Sequence, residues 1–172
     1  KGGALLAAYG TRRPTRDVDL LATDLHIDTD TVLALVRNIA GLPRDDGLAF
    51  DPASATAHVI RDDDEYSGVR VSMTATLGRA RLTFHVDVNV GDPVWPAPGL
   101  VAVPGLLGGH VELLGYPLAA VYAEKIVTAL QRGTANTRWR DFADVYLLRG
   151  QQDLNGTDLT TAEQRVLDAL DE

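Results

Sequence analysis

Cysteine is absent from the 172 residues, which excludes disulfide staples and thiolate metal sites and leaves carboxylate, imidazole or backbone oxygen as ligands for any metal. A chain without thiols suits a reducing cytoplasm, so a cytoplasmic protein is expected. Lysine is nearly absent too: of the 16 basic residues only Lys1 and Lys125 are lysines. No apolar run approaches the roughly 18 to 20 residues of a membrane span, and no charged-then-apolar signal segment opens the chain, so no membrane partner is expected. Positive charge is in deficit. The 24 acidic residues give a net charge of -8, which argues against a general nucleic-acid coat, because phosphate binding needs a positive field. Arginine still collects in two islands, Arg12, Arg13 and Arg16 near the start and Arg132, Arg138 and Arg140 near the end. Each island is either a phosphate contact or ordinary solvated surface.

With 45% hydrophobic residues the chain is long enough to bury one core without staples, and one compact unit is expected. It opens on Lys1 rather than Met, so residues ahead of Lys1 are expected. Small apolar residues over 2–9 predict a short helix, a turn follows through Thr11 to Pro14, and 17–22 reads as a strand. From Asp30 to Ala40, Val32, Leu35, Val36 and Ile39 fall at helical spacing, with Asp28 or Thr29 as the cap and Gly41 as the stop. Gly47 to Ala55 reads as turn-rich, and 56–61, 68–77 and 80–90 read as strands of an antiparallel meander. The stretch Gly91 to Gly109, with Pro93, Pro96, Pro98 and Pro104, reads as a surface loop holding at most one short strand. A strand at 110–114 precedes helices at 118–132, 138–149 and 160–170, the last capped by Thr160 or Thr161. The fold class is α+β, with 1–116 as a sheet core and 117–172 as a helical C-terminal part packed on it.

Strand periodicity is two, so Asp17 and Asp19 share a face while Val18 and Leu20 point into the core. The later strand alternates as well, placing Leu82, Phe84, Val86, Val88 and Val90 on one face and Thr83, His85, Asp87 and Asn89 on the other. If the two strands pair, Asp17, Asp19 and Asp87 converge, and carboxylates that close are costly unless a divalent cation lies between them. Magnesium is the expected ion. Hard oxygen ligands that leave coordination positions for water and phosphate suit phosphoryl or nucleotidyl transfer. The bland reading of an isolated Asp-x-Asp is a solvated strand end. Gly2 and Gly3 allow close backbone approach to phosphates, and Arg12, Arg13 and Arg16 stand near the acidic pair, both of which favour the functional reading. On the helix from Leu118, Val121, Thr128, Ala129 and Arg132 surround Lys125, whose ammonium is either partly buried or snorkelling. In the next helix Trp139, Phe142 and Tyr146 form an apolar stripe with Asp141, Asp144 and Leu148 to one side.

These pieces, in this order, resemble the AbiEii/AbiGii toxin family of nucleotidyltransferases, MenT-like toxins included. The likeness is carried by Lys1-Gly2-Gly3 and Arg13-Pro14-Thr15-Arg16-Asp17-Val18-Asp19-Leu20, by Val86-Asp87-Val88 leading into Gly91-Asp92, by Tyr122-Ala123-Glu124-Lys125, and by Arg140-Asp141-Phe142-Ala143-Asp144-Val145-Tyr146. The resemblance implies a polymerase-beta-like nucleotidyltransferase core with a helical C-terminal part. It implies that Asp17 and Asp19 bind metal, with Asp87 added by strand alternation. It further implies that Thr15 lies against the triphosphate, that Lys125 contacts phosphate and that Asp141 completes the catalytic set, with Gly2, Gly3 and Arg13 beside the nucleotide. The partners implied are an NTP, an RNA acceptor such as the tRNA 3′ end, and a cognate antitoxin protein. A protein hydroxyl or a small molecule as acceptor, or an inert NTP-binding protein, stay open.

Overall fold

The computed structural model describes residues 1–23, 28–61, 67–91, 94–132, 139–149 and 156–168. These group into two units, Pro14–Asp92 and a second made of Lys1–Arg13 with Pro93–Glu172. The sequence reading drew its line at 116/117 instead. The difference lies in two segments, 1–13 and 93–116, which group with the C-terminal helices.

The unit Pro14–Asp92 is a mixed four-stranded sheet in the order β1-β4-β3-β2, with β1 Asp17–Leu21, β2 Leu48–Arg61, β3 Ser67–Leu77 and β4 Ala80–Asn89. β1 runs parallel to β4, and the other pairs are antiparallel. The turn between β3 and β4 is only Gly78-Arg79, because Leu77 pairs with Ala80, and Gly78 takes the positive φ of +58° that such a tight reversal needs. That turn fixes the whole register, so Arg70 faces Asp87 and Ser72 faces His85.

Helix α2, Thr29–Ala40, is capped by Asp28, whose carboxylate accepts from the Thr31 backbone N–H at 2.8 Å and from the Thr31 hydroxyl at 2.7 Å. It lies on β2 and β3, where Val32 is fully buried among Ala55, Val69, Val71, Met73 and Val88, and Phe50 meets Phe84 edge-on at 5.5 Å. The residues 47–55, read as turn-rich, belong largely to β2. Their pairing is interrupted between Asp51 and Thr56, and Arg37 of α2 donates to the carbonyls of Pro52 (3.1 Å) and Ala55 (2.7 Å). An edge strand tolerates Pro52 in this way, because the interruption falls at the bulge and the loosened carbonyls gain a new donor.

A second correction concerns Val18 and Leu20. They pair with Val86 and Val88 and so share the apolar face, yet they are 39% and 45% exposed. The cause is position: α2 sits over β2 and β3, at the opposite edge of the sheet from β1.

In the other unit, residues 2–9 form helix α1, Gly2–Leu5, continued by one 3₁₀ turn over Leu6–Tyr9. β5, Gly99–Pro104, and β6, His110–Gly115, make a separate antiparallel hairpin. Helices α3, Leu118–Arg132, α4, Trp139–Leu148, and α5, Gly156–Asp168, complete it. Ala119 and Ala123 of α3 pack on Ala162 of α5, with Trp95 and Val166 alongside. Small residues at that crossing allow close helix approach. α5 begins at Gly156, ahead of the expected 160, so Thr160 and Thr161 are interior residues that donate back to the carbonyls of Gly156 (3.0 Å) and Thr157 (2.9 Å), not caps. Arg138 lies outside the described residues, as do positions 169 and 170. Among the described residues no helix is long and apolar enough to cross a membrane.

Candidate functional site

In the unit Pro14–Asp92, the polar face of the sheet carries the acidic residues. The parallel register sets Asp17 beside His85 and Asp19 beside Asp87, as strand alternation predicts, so three carboxylates share one face. Thr15 leads into β1 through its hydroxyl, which donates to the Asp17 carbonyl at 3.2 Å and accepts from the Asp17 N–H at 3.3 Å. The Thr15 side chain therefore shapes the turn that presents Asp17. His85 Nδ1 lies 2.9 Å from the Ser72 hydroxyl, which accounts for it as a hydrogen-bonded strand histidine.

Arg70 is the residue that sequence reasoning missed here. Its guanidinium grips Asp87 by both oxygens, Nε to Oδ1 at 2.7 Å and Nη2 to Oδ2 at 2.6 Å. The hydrogen bond to Asp87 raises the Arg70 pKa; burial opposes it, and the charges of Asp87, Asp17 and Asp19 reinforce it. Its signal was the two-residue turn at Gly78-Arg79, from which the facing of 70 and 87 follows.

This arrangement bears on the expected metal. Among the described residues no three His, Asp or Glu side chains group so as to hold an ion between them. Arg70 engages Asp87, and Asp17 and Asp19 are the other two carboxylates of that face. Such a pair fits magnesium, which keeps several waters and binds through one or two carboxylates plus substrate phosphates, better than it fits calcium, which wants six to eight oxygen ligands.

The unit Lys1–Arg13 with Pro93–Glu172 holds a second charged cluster, and it is buried. Asp141, Asp144 and Leu148 fall at i, i+3 and i+7 on α4 and form its buried face. Lys125 of α3 meets them: its Nζ donates to Asp141 Oδ1 at 2.9 Å and to Asp144 Oδ2 at 2.7 Å. Lys125 is buried, so the snorkelling reading is set aside. Arg13 closes the network on Asp144, Nε to Oδ1 at 2.7 Å and Nη2 to Oδ2 at 3.0 Å. Pairing of this kind is the condition under which buried charge is tolerated.

Asp144, the fully buried centre of this network, is a residue to which the sequence reading gave no role beyond its place to one side of the apolar stripe. Burial pushes its carboxyl pKa up, but hydrogen bonds and charge from Arg13 and Lys125 outweigh burial and leave it below the ordinary value of 3.8. A depressed folded-state pKa contributes stability above the unfolded value that is lost as pH falls through the folded one. Thermal melts are therefore expected to fall as pH drops below about 4. Asp144→Asn should be less stable at neutral pH and lose less on acidification; parallel melting curves for parent and variant at every pH would refute this.

Gly3 serves this cluster. Gly2 adopts φ +73°, and a Cβ on Gly3 would lie 2.9 Å from Arg13 Nη1. The space at Gly3 is occupied by the guanidinium that Asp144 pins, so Gly3 makes room for Arg13. The expected contacts of Gly2, Gly3 and Arg13 with a nucleotide remain proposals.

Comparison with known proteins adds the family. The fold is similar to that in the crystal structure of JHP933 from Helicobacter pylori, with a TM-score of 0.55 and 18% identity over 92% of this chain. The chain spans 60% of the length of that protein, and the likeness speaks for the fold alone. No curated protein matches the sequence. The family described as nucleotidyl transferase AbiEii toxin, type IV TA system, matches over residues 1–171, which takes in the Asp17/Asp19 strand and the Lys125, Asp141 and Asp144 cluster alike. This chain belongs to that family of nucleotidyltransferase toxins.

Proposed function

We propose that this chain transfers a nucleoside monophosphate from an NTP to an RNA acceptor, the tRNA 3′ end, and so blocks translation. The observation that carries the reading is the parallel register of β1 on β4, which lines up Asp17 and Asp19 beside Asp87 on one polar face. We read the sheet as a polymerase-beta-like core in which Asp17 and Asp19 hold magnesium. When bound, the ion supplies charge neutralisation at the phosphates and polarises the attacking hydroxyl. Arg70 holds Asp87 in place and offsets part of the negative charge of that face. Lys125 spends two of its three ammonium donors on Asp141 and Asp144, which fixes its orientation; the third is its means of contacting phosphate. Work on tRNA implies the cytoplasm.

The test is to incubate the protein with each labelled NTP, magnesium, total RNA and cell extract, and to ask which macromolecule carries the label. Label in tRNA is expected, and its yield should fall as salt rises, because phosphate contacts release counterions. Label on a protein or small molecule, or a yield flat with salt, would overturn the RNA acceptor.

A further inference from the structure

Helix α4 is amphipathic in the unusual sense. Its aspartates, Asp141 and Asp144, face inward, and its aromatic rings face outward: Trp139 is 67%, Phe142 55% and Tyr146 59% exposed. The rings fall at i, i+3 and i+7, so they form one continuous stripe. Isolated exposed apolar residues are commonplace, but a contiguous aromatic row on one helix marks a surface that something covers. Helices ordinarily turn such rows toward the core.

The charges on this face identify the occupant. The Arg149 guanidinium stacks 3.8 Å from the Tyr146 ring centre, and that of Arg140 lies 5.9 Å from the Trp139 ring centre. Both acids of α4 are turned inward and neutralised by Lys125 and Arg13, so its exposed face, with Arg149 just beyond, carries positive charge only. In a chain of net charge -8 that is a local reversal of sign. Flat rings interleaved with arginine are the chemistry that takes unpaired nucleobases, because every base has a π-face and the phosphates between bases are anionic.

We infer that the exposed face of α4 is a stacking platform for unpaired nucleobases of the RNA acceptor, an inference that rests on the RNA reading above. Trp139, Phe142 and Tyr146 supply the rings, and Arg140 and Arg149 the phosphate contacts. The face is distinct from the buried face of the same helix that holds Lys125.

Fluorescence anisotropy with a short single-stranded oligouridylate, and with a blunt RNA duplex of matched length, tests it. Trp139→Ala, Phe142→Ala and Tyr146→Ala should each weaken oligouridylate binding by about 5- to 150-fold, the range for loss of one stacked base. Duplex and NTP affinities should not change. Tyr146→Phe and Phe142→Tyr keep a ring and should keep affinity; loss in these ring-preserving variants would overturn the stacking role, as would parental oligouridylate binding in all three alanine variants. If the parent labels RNA while the alanine variants bind like the parent, the platform fails and the RNA reading stands. If the parent neither binds nor labels RNA, both fail. Alanine variants that keep RNA affinity but lose the antitoxin protein would make the stripe a protein-docking face and overturn the inference.

Discussion

Asp17→Asn and Asp19→Asn are each expected to reduce nucleotide transfer by at least about 100-fold while leaving the melting temperature unchanged or slightly higher. Losing a group that merely orients a metal ligand already costs about 10- to 100-fold, so losing the charge of a proposed metal ligand should cost more. The effect on the fold has the opposite sign. Asp17, Asp19 and Asp87 share one sheet face, and Arg70 makes its ion pair with Asp87. Like charges on one face repel one another, and Asn keeps the shape while removing one of them. Activity lost with stability kept is what a site selected for binding shows, in contrast to a packing site. NTP affinity measured by calorimetry with and without magnesium, beside a transfer assay and a thermal melt, gives all three quantities. Parental NTP affinity and turnover in either variant would remove the metal from these residues.

The sequence made the polar face legible because alternation in a strand is a local property. Asp17 and Asp19 two apart, and His85, Asp87 and Asn89 two apart, needed only the period of two; the Gly78-Arg79 turn would have told which residues face each other across β3 and β4, and that signal went unused. The family resemblance was equally legible, since its motifs survive in order along the chain. Side-chain partners were not. That Arg70 would claim both oxygens of Asp87 depends on rotamers, and periodicity is silent on those. Which face of α4 is buried was not legible for a related reason. Trp139, Phe142 and Tyr146 look like a core stripe by hydrophobicity alone, but Lys125 and Arg13 are brought to α4 from distant parts of the chain and make burial of Asp141 and Asp144 favourable. An ion network assembled over more than a hundred residues, as between Arg13 and Asp144, leaves no periodic trace. The same limit explains Gly3, whose neighbour in space, Arg13, is visible only once the chain has folded back.

Lys125→Met is expected to be costly in both stability and turnover, and a second substitution separates the two. Its ammonium is held by Asp141 and Asp144, both buried, so removing it takes away a cation that both carboxylates share, while Arg13 stays on Asp144. Breaking a buried ion pair from one side costs about 3–5 kcal/mol, because the remaining charge is neither solvated nor paired. For a chain of this length that corresponds to a drop of roughly 6 to 20 °C in Tm. Replacing both partners of such a pair with apolar groups of similar size is often neutral, because no uncompensated charge remains. Lys125→Met combined with Asp141→Leu leaves Arg13 and Asp144 as a balanced pair and should recover most of the lost Tm. Turnover should not recover with it. The proposed phosphate contact needs the ammonium itself, and loss of one such preorganised electrostatic contact costs on the order of 100-fold in rate. Melting curves and single-turnover transfer for the parent, the two single variants and the double variant complete the cycle. A double variant that regains parental stability and parental turnover together would show that the network is scaffold alone and would take Lys125 and Asp141 out of the chemistry.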